Sequence, residues 1–267
     1  ISYEHENIIR IDVDNSKQPN SRWYSGSGIY RDVNLWTGKD VYISHDKLRI
    51  TTLSVNDDMA VIEVCAQLKN IIGHGLEAEC LIEIKKDGQK TASDTQRVVF
   101  RSEQMQTVRV QIPIEHPKKW SPKQPALYEC HITTKFDDKI CDEAVSNFGI
   151  RVLALDPVHG LQINGETVKL RGTCIHHDNG VIGAETFKEA EWYRCKRLKE
   201  AGFNAIRSAH HPMSRAMLDA CDHIGMLVMD ELTDMWDKEK NTYDFPDIFE
   251  DEYNQWINHM VAKDYNY

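Results

Sequence analysis

The chain has 267 residues, 41% of them hydrophobic and 28% charged, with a formal net charge of -10. That composition is ordinary for a globular protein, and the acidity excludes the clustered basic face that a nucleic-acid partner requires. No apolar run approaches the roughly 20 residues that a membrane-spanning helix needs, so a membrane partner is not expected either.

The sequence opens on Ile1 with no signal-like segment before the first strand-like run, and a native start upstream is expected. Residues 1–36 carry two such runs, one through Ile8, Ile9, Ile11 and Val13, the other through Ile29, Tyr30, Val33, Leu35 and Trp36. Two strands cannot make an independent sheet, so this segment reads as the tail of a larger β domain.

Residues 37–155 alternate apolar and polar side chains in run after run, as in Val61–Leu68, Cys80–Ile84 and Thr107–Ile112. Turn pairs such as Asp87-Gly88 and Asp137-Asp138 punctuate them at the spacing of a β-sandwich. The expectation is an immunoglobulin-like domain.

Residues 156–267 follow other rules. Asn164-Gly165 marks a two-residue hairpin turn, and a strand over Val168–Ile175 follows. Thr186 and Glu189 have the spacing of a capping box for a helix whose apolar face would be Phe187, Ala190, Leu198 and Ala201, with Gly202 just past its end. Phe203–Arg207 is the next strand. A helix capped by Ser214 ends at Gly225, and Met226–Met229 is a third strand. A final helix over 248–263 is expected to bury Phe249, Tyr253, Trp256, Ile257 and Met260. Strand and helix in alternation imply a parallel sheet, and the length suits an incomplete (β/α)8 barrel.

Each of the three strands runs into a polar cluster: His176-His177-Asp178-Asn179, Arg207-Ser208-Ala209-His210-His211, and Asp230-Glu231 with Asp234 and Trp236. Functional groups of parallel α/β folds stand at the carboxyl ends of strands, so these ends are the candidate site. Imidazole offers one donor and one acceptor, which suits His176 and His210 to sugar hydroxyls. A metal site is not expected, because HExxH and similar ligand spacings are missing. His177 and His211 point away from their neighbours and are expected to be packed or solvated. Asp230 and Glu231, adjacent in an extended strand, face opposite ways and cannot be the two facing carboxyls of a retaining glycosidase. Seven cysteines (Cys65, Cys80, Cys130, Cys141, Cys174, Cys195, Cys221) occur singly, without a CxxC pair; buried thiols are expected rather than disulfides or zinc.

These stretches carry a family resemblance. Ser21-Arg22-Trp23-Tyr24 with Gly28-Ile29-Tyr30-Arg31-Asp32-Val33 resembles the end of the sugar-binding jelly-roll domain of glycoside hydrolase family 2, which includes β-galactosidases and β-glucuronidases. Trp120-Ser121-Pro122 and Phe148-Gly149-Ile150-Arg151 resemble its immunoglobulin-like domain. Leu170-Arg171-Gly172 with His176, Gly202–Arg207 with His210 and Pro212, and Asp230–Trp236 resemble its first three barrel strands. The resemblance implies a retaining hydrolase of terminal β-linked sugars. It implies substrate contacts from His176, His210, Asp230, Glu231, Asp234 and Trp236, with Arg207 supporting the nucleophile. It implies no cofactor, and it places the acid/base and nucleophilic glutamates beyond Tyr267, so that the chain alone would be inactive and could self-associate through its unfinished barrel. Two other classes compete. One is a non-catalytic carbohydrate-binding or interaction module; the other is a metal-dependent hydrolase using the His and Asp clusters.

Overall fold

A computed structural model describes residues 2–21, 26–101, 104–236, 238–243 and 246–267. Seven long strands come first: β1 (Val41–Val55), β2 (Met59–Asn70), β3 (Leu76–Lys86), β4 (Gln89–Phe100), β5 (Met105–Glu115), β6 (Leu127–Phe136) and β7 (Lys139–Gly149). They pair antiparallel in two sheets, ordered β1-β2-β5 and β4-β3-β6-β7. Alternation decides which side chains are inside. Ala60, Ile62, Val64, Ala66 and Leu68 of β2 meet Cys80, Ile82 and Ile84 of β3 and Val108, Val110 and Ile112 of β5 in one core. Tyr128, at the start of β6, accepts a hydrogen bond from the Lys118 backbone N–H at 2.8 Å, tying the strand to the loop that precedes it.

Three hairpins turn where short residues tolerate positive φ. Asp87-Gly88, Asp137-Asp138 and Asn164-Gly165 all hold both residues at φ between 52° and 83°, the twist that tight two-residue turns require. The last of these joins β9 (Gly160–Ile163) to β10 (Glu166–Thr167), and β8 (Leu153–Asp156) completes that small sheet.

The barrel part consists of β11 (Gly172–His176), α1 (Lys188–Glu200), β12 (Ala205–Ala209), α2 (Arg215–Ile224), β13 (Leu227–Met229) and α3 (Pro246–Asp264). The three strands form a parallel sheet with β12 in the middle. Ser214 Oγ accepts from the Met217 N–H, and Gly225 sits in the left-handed conformation at the end of α2, as the sequence predicts. Gly202 closes α1 in the same way: its N–H reaches Lys199 O while the Phe203 N–H reaches Leu198 O.

Five local expectations are corrected. The strand-like runs before residue 37 form no strand among the described residues; Ile8, Ile9, Val33 and Leu35 are exposed, because no neighbouring strand supplies a ladder. The strand expected over Val168–Ile175 is shorter and later: residues 168–171 are in no strand, and β11 begins at Gly172. The capping box is not made: α1 has Phe187 at its N-cap without a side-chain bond, and Thr186 instead donates to the carbonyl of Tyr30. The buried residues of α1 are Glu191 and Cys195, whereas Phe187 is 54% exposed. The reason is a buried ion pair. Glu191 binds Arg194 at 3.0 Å and Asn179 at 3.0 Å, and Arg194 donates to the carbonyls of His176 and Asp178. On α3, Tyr253 and Ile257 are exposed rather than buried, since few elements of this chain pack on it.

Trp120 locks the sandwich to the barrel part. Its indole is 1% exposed, donates to Asp222 O at 2.9 Å, and lies under the Arg151 guanidinium at 4.5 Å. Lys199 donates to both Pro122 O and Gly225 O. At the end of α3, the Asn266 amide pairs with the Leu48 carbonyl and the Ile50 N–H, continuing the edge of β1.

Candidate functional site

The parallel register sets His176 opposite Ala209, so the two histidine doublets follow their strands side by side. That register offsets the doublets by one residue, so strand alternation does not by itself face His176 with His210; His210 lies past the end of β12, and there the rings pair first with first and second with second. The rings of His176 and His210 meet edge-on, 5.0 Å between centroids. Those of His177 and His211 stack at 3.8 Å.

Around the first pair the site is polar. Glu231 is bound by Arg207 at 2.8 Å, and Asp234 by Lys240 at 3.1 Å. His210 Nδ1 lies 3.6 Å from Asp234 and 3.9 Å from Glu231. Burial holds the His210 imidazole below its ordinary range, against the upward pull of the two carboxylates. The Arg207 guanidinium is raised by its hydrogen bonds to Cys174 Sγ, at 3.5 Å, and to Glu231. His210, Glu231 and Asp234 each offer a ligand atom within 4.8 Å of the others. Both carboxylates already face cations at ion-pair distance, which a metal ion would have to displace. The set suits hydroxyl recognition better than metal binding: carboxylates that accept, an imidazole that does either, and cations that donate.

The second pair is half-buried and neutral. His177 is pushed down to about 3 by burial, then by His211 and Arg31; His211 is pushed down to about 4 by burial and Arg31. Arg31 donates to His177 Nδ1 at 3.3 Å and to the carbonyl of Pro212. Ser208, wholly buried, donates to the His211 carbonyl.

Asp230 turns away from Glu231, as adjacent residues should. Its Oδ1 accepts the Met213 N–H at 2.9 Å, and it neighbours Lys263 and Asp264 at the end of α3. Burial and the Asp230 carboxyl push Asp264 up to about 7. Trp236 is 59% exposed. A cavity of about 820 Å³ opens beside His210 and His211, walled by Tyr30 and Arg31, by Leu232 and Thr233, and by Trp256 and His259 of α3.

The family profile described as "Glycosyl hydrolases family 2" matches residues 41–151, and "Glycosyl hydrolases family 2, TIM barrel domain" matches residues 158–263. The chain belongs to glycosyl hydrolase family 2. A family 2 member from Bacteroides cellulosilyticus superimposes with a TM-score of 0.87 at 36% identity, over 92% of this chain and 32% of that one. A β-galactosidase from Bacteroides ovatus is 31% identical over 100% of this chain and 32% of its own length. A β-glucuronidase from Bacteroides fragilis is 27% identical over 87% of this chain and 35% of its own length. The chain thus spans about a third of these relatives.

Within this family 2 chain, the structure brings together His176, His210, Arg207, Glu231 and Asp234. It leaves Asp230 behind them and Trp236 on the rim. Sequence reasoning missed Lys240, Arg31 and Ser208 as partners of the site. The histidine doublets carried a partial signal: two HH pairs at neighbouring strand ends mark the site, but with the doublets one residue out of register they do not disclose which rings meet.

Proposed function

We propose that the whole protein is a retaining β-glycosidase of the β-galactosidase type, in which this chain supplies part of the sugar-binding surface. The supporting observation is the convergence of His176, His210, Glu231 and Asp234 at the carboxyl ends of three parallel strands. Arg207 braces Glu231, and Lys240 braces Asp234. Relatives carry both β-galactosidase and β-glucuronidase names. The site's charge favours the neutral sugar. A uronate would bring a third carboxylate beside Glu231 and Asp234, whose nearest cations are already engaged. Residues 1–36 fit the role of a jelly-roll tail, 37–155 the immunoglobulin-like domain and 156–267 the start of the barrel.

The glutamate pair that retaining hydrolysis needs is assigned to barrel segments outside this chain, so the chain alone should not hydrolyse nitrophenyl β-galactoside. A protein continuing this sequence through the complete barrel should release nitrophenol from the β-galactoside faster than from the β-glucuronide, with retained configuration by NMR. Faster cleavage of the glucuronide would reverse the substrate assignment, and cleavage of neither would end the glycosidase reading.

A further inference from the structure

The His177–His211 layer, which lines the cavity beside His210, is tied to a distant part of the chain. Tyr30 and Arg31 belong to the segment before the sandwich, yet they dock on the loops that follow β11 and β12. The Tyr30 carbonyl accepts from Thr186, its ring meets His211 edge-on at 6.5 Å, and Arg31 reaches His177 and the Pro212 carbonyl. A guanidinium can only donate, so His177 Nδ1 accepts. The ring proton therefore sits on Nε2, which donates to the His211 carbonyl at 3.1 Å. One side chain thereby fixes a tautomer and holds two successive carbonyls, those of His211 and Pro212, immediately after His210. The His177–His211 stack fills the space between.

We propose that Arg31 is a positioning residue for sugar binding: through His177 Nδ1 and the Pro212 carbonyl it sets the His210 turn against Glu231 and Asp234. This rests on the glycosidase reading for its kinetic consequence but not for its structural one. Arg31 walls the cavity, but its hydrogen bonds go to His177 and Pro212, so it acts on the sugar through the turn it holds. It acts because a turn left to wander by even a fraction of an ångström loses the geometry that hydroxyl recognition needs.

The test has two arms. In this chain, nitrogen-15 NMR of the imidazoles should show His177 as the Nε2–H tautomer, and Arg31→Met should abolish that preference and shift the His210 resonances. In the complete enzyme, Arg31→Met should raise KM for nitrophenyl β-galactoside about tenfold, the scale of one lost charge-assisted hydrogen bond, with kcat held within about twofold. A merely structural role would lower the active fraction, and so kcat, and leave KM alone. Should Arg31→Met not fold, Arg31→Lys keeps the cation without the fork, and it should show the same KM shift in smaller degree. His177 protonated on Nδ1 in the unaltered chain, His210 resonances indifferent to the substitution, or an unchanged KM would each overturn the proposal. If the unaltered complete enzyme cleaves no β-glycoside, the functional reading fails, while the tautomer arm still decides what Arg31 does.

Discussion

At the scale of single residues, burial shifts proton affinities in opposite directions at a carboxyl of α2 and at the second histidine pair. Asp222 is pushed up to about 7 by desolvation, which outweighs the neighbouring Arg151. Its folded pKa lies above its unfolded value, so the stability it contributes is present below about 4 and lost as pH rises towards 7. His177 and His211 run the other way. Their folded values lie below the free imidazole's, so their contribution is present above about 6.5 and lost as pH falls. Between these limits the contributions oppose one another and flatten the profile. Asp222→Asn removes one falling contribution, so the variant should gain stability relative to the parent as pH rises from about 4 to 7, by at most about 1.4 kcal/mol per pH unit. Urea unfolding at several pH values measures it; a difference that stays constant with pH would show that Asp222 is not titrating in that window. The cysteines offer a simpler check. All seven are free, five are buried, Cys65 is intermediate and Cys174 is exposed. Native protein should therefore modify rapidly at Cys174 alone, and all seven thiols should react after denaturation without reductant.

At the scale of elements, the two first barrel helices show what a sequence does and does not disclose. α2 was legible from end to end, because Ser214, an apolar face and Gly225 each act locally. α1 was not. Its buried face holds Glu191 and Arg194, and nothing in the residue types separates a buried ion pair from a solvated one. The apparent stripe of Phe187 and Ala190 pointed elsewhere, and the Thr186–Glu189 spacing mimicked a cap that the Tyr30 carbonyl pre-empts. The sandwich strands were readable for the reason that β2 illustrates: one wet face and one dry face leave a period of two. The site was half legible. Strand ends could be placed, but partners from far along the chain, such as Arg31, could not. Three substitutions test the contrast. Ser214→Ala should cost about 1 kcal/mol in urea unfolding, whereas Glu189→Ala should change stability by less than about 0.5 kcal/mol. Glu191→Ala, two residues on and on the opposite side of the helix, should cost about 3 kcal/mol, because it strands the Arg194 guanidinium in the interior. Equal effects at Glu189 and Glu191 would restore the capping box and remove the buried pair.

At the scale of the molecule, stability should be unevenly shared. The sandwich closes its own core: Ile62, Leu68, Ile82, Ile84, Ile112 and Ile132 are all at most 2% exposed. The barrel part does not. Its sheet has three strands, with β11 and β13 each paired on one side only among the described residues. Leu170, Met229, Tyr253 and Ile257 are all at least 40% exposed. Wet apolar surface forgoes about 25 cal/mol per Å², and open strand edges invite pairing with another chain. What holds this half in place is its joint to the sandwich: Trp120 under Arg151, Lys199 across to Pro122, and Asn266 on the β1 edge. Gly225 is the tightest point of that joint. It has φ +79°, and a Cβ there would come within 2.6 Å of the Pro122 carbonyl. Gly225→Ala should therefore loosen the barrel part more than the sandwich. Hydrogen exchange followed by mass spectrometry resolves the two halves. In the unaltered chain the amides of β2, β3 and β6 should be the last to exchange, those of β11 to β13 should exchange earlier, and α3 earlier still. In the Gly225→Ala chain the gap should widen, with sandwich protection unchanged and a larger self-associated fraction in sedimentation at high concentration. Equal protection across both halves would mean that the three-stranded sheet is as stable as the closed sandwich core, and that its exposed edges and side chains cost little.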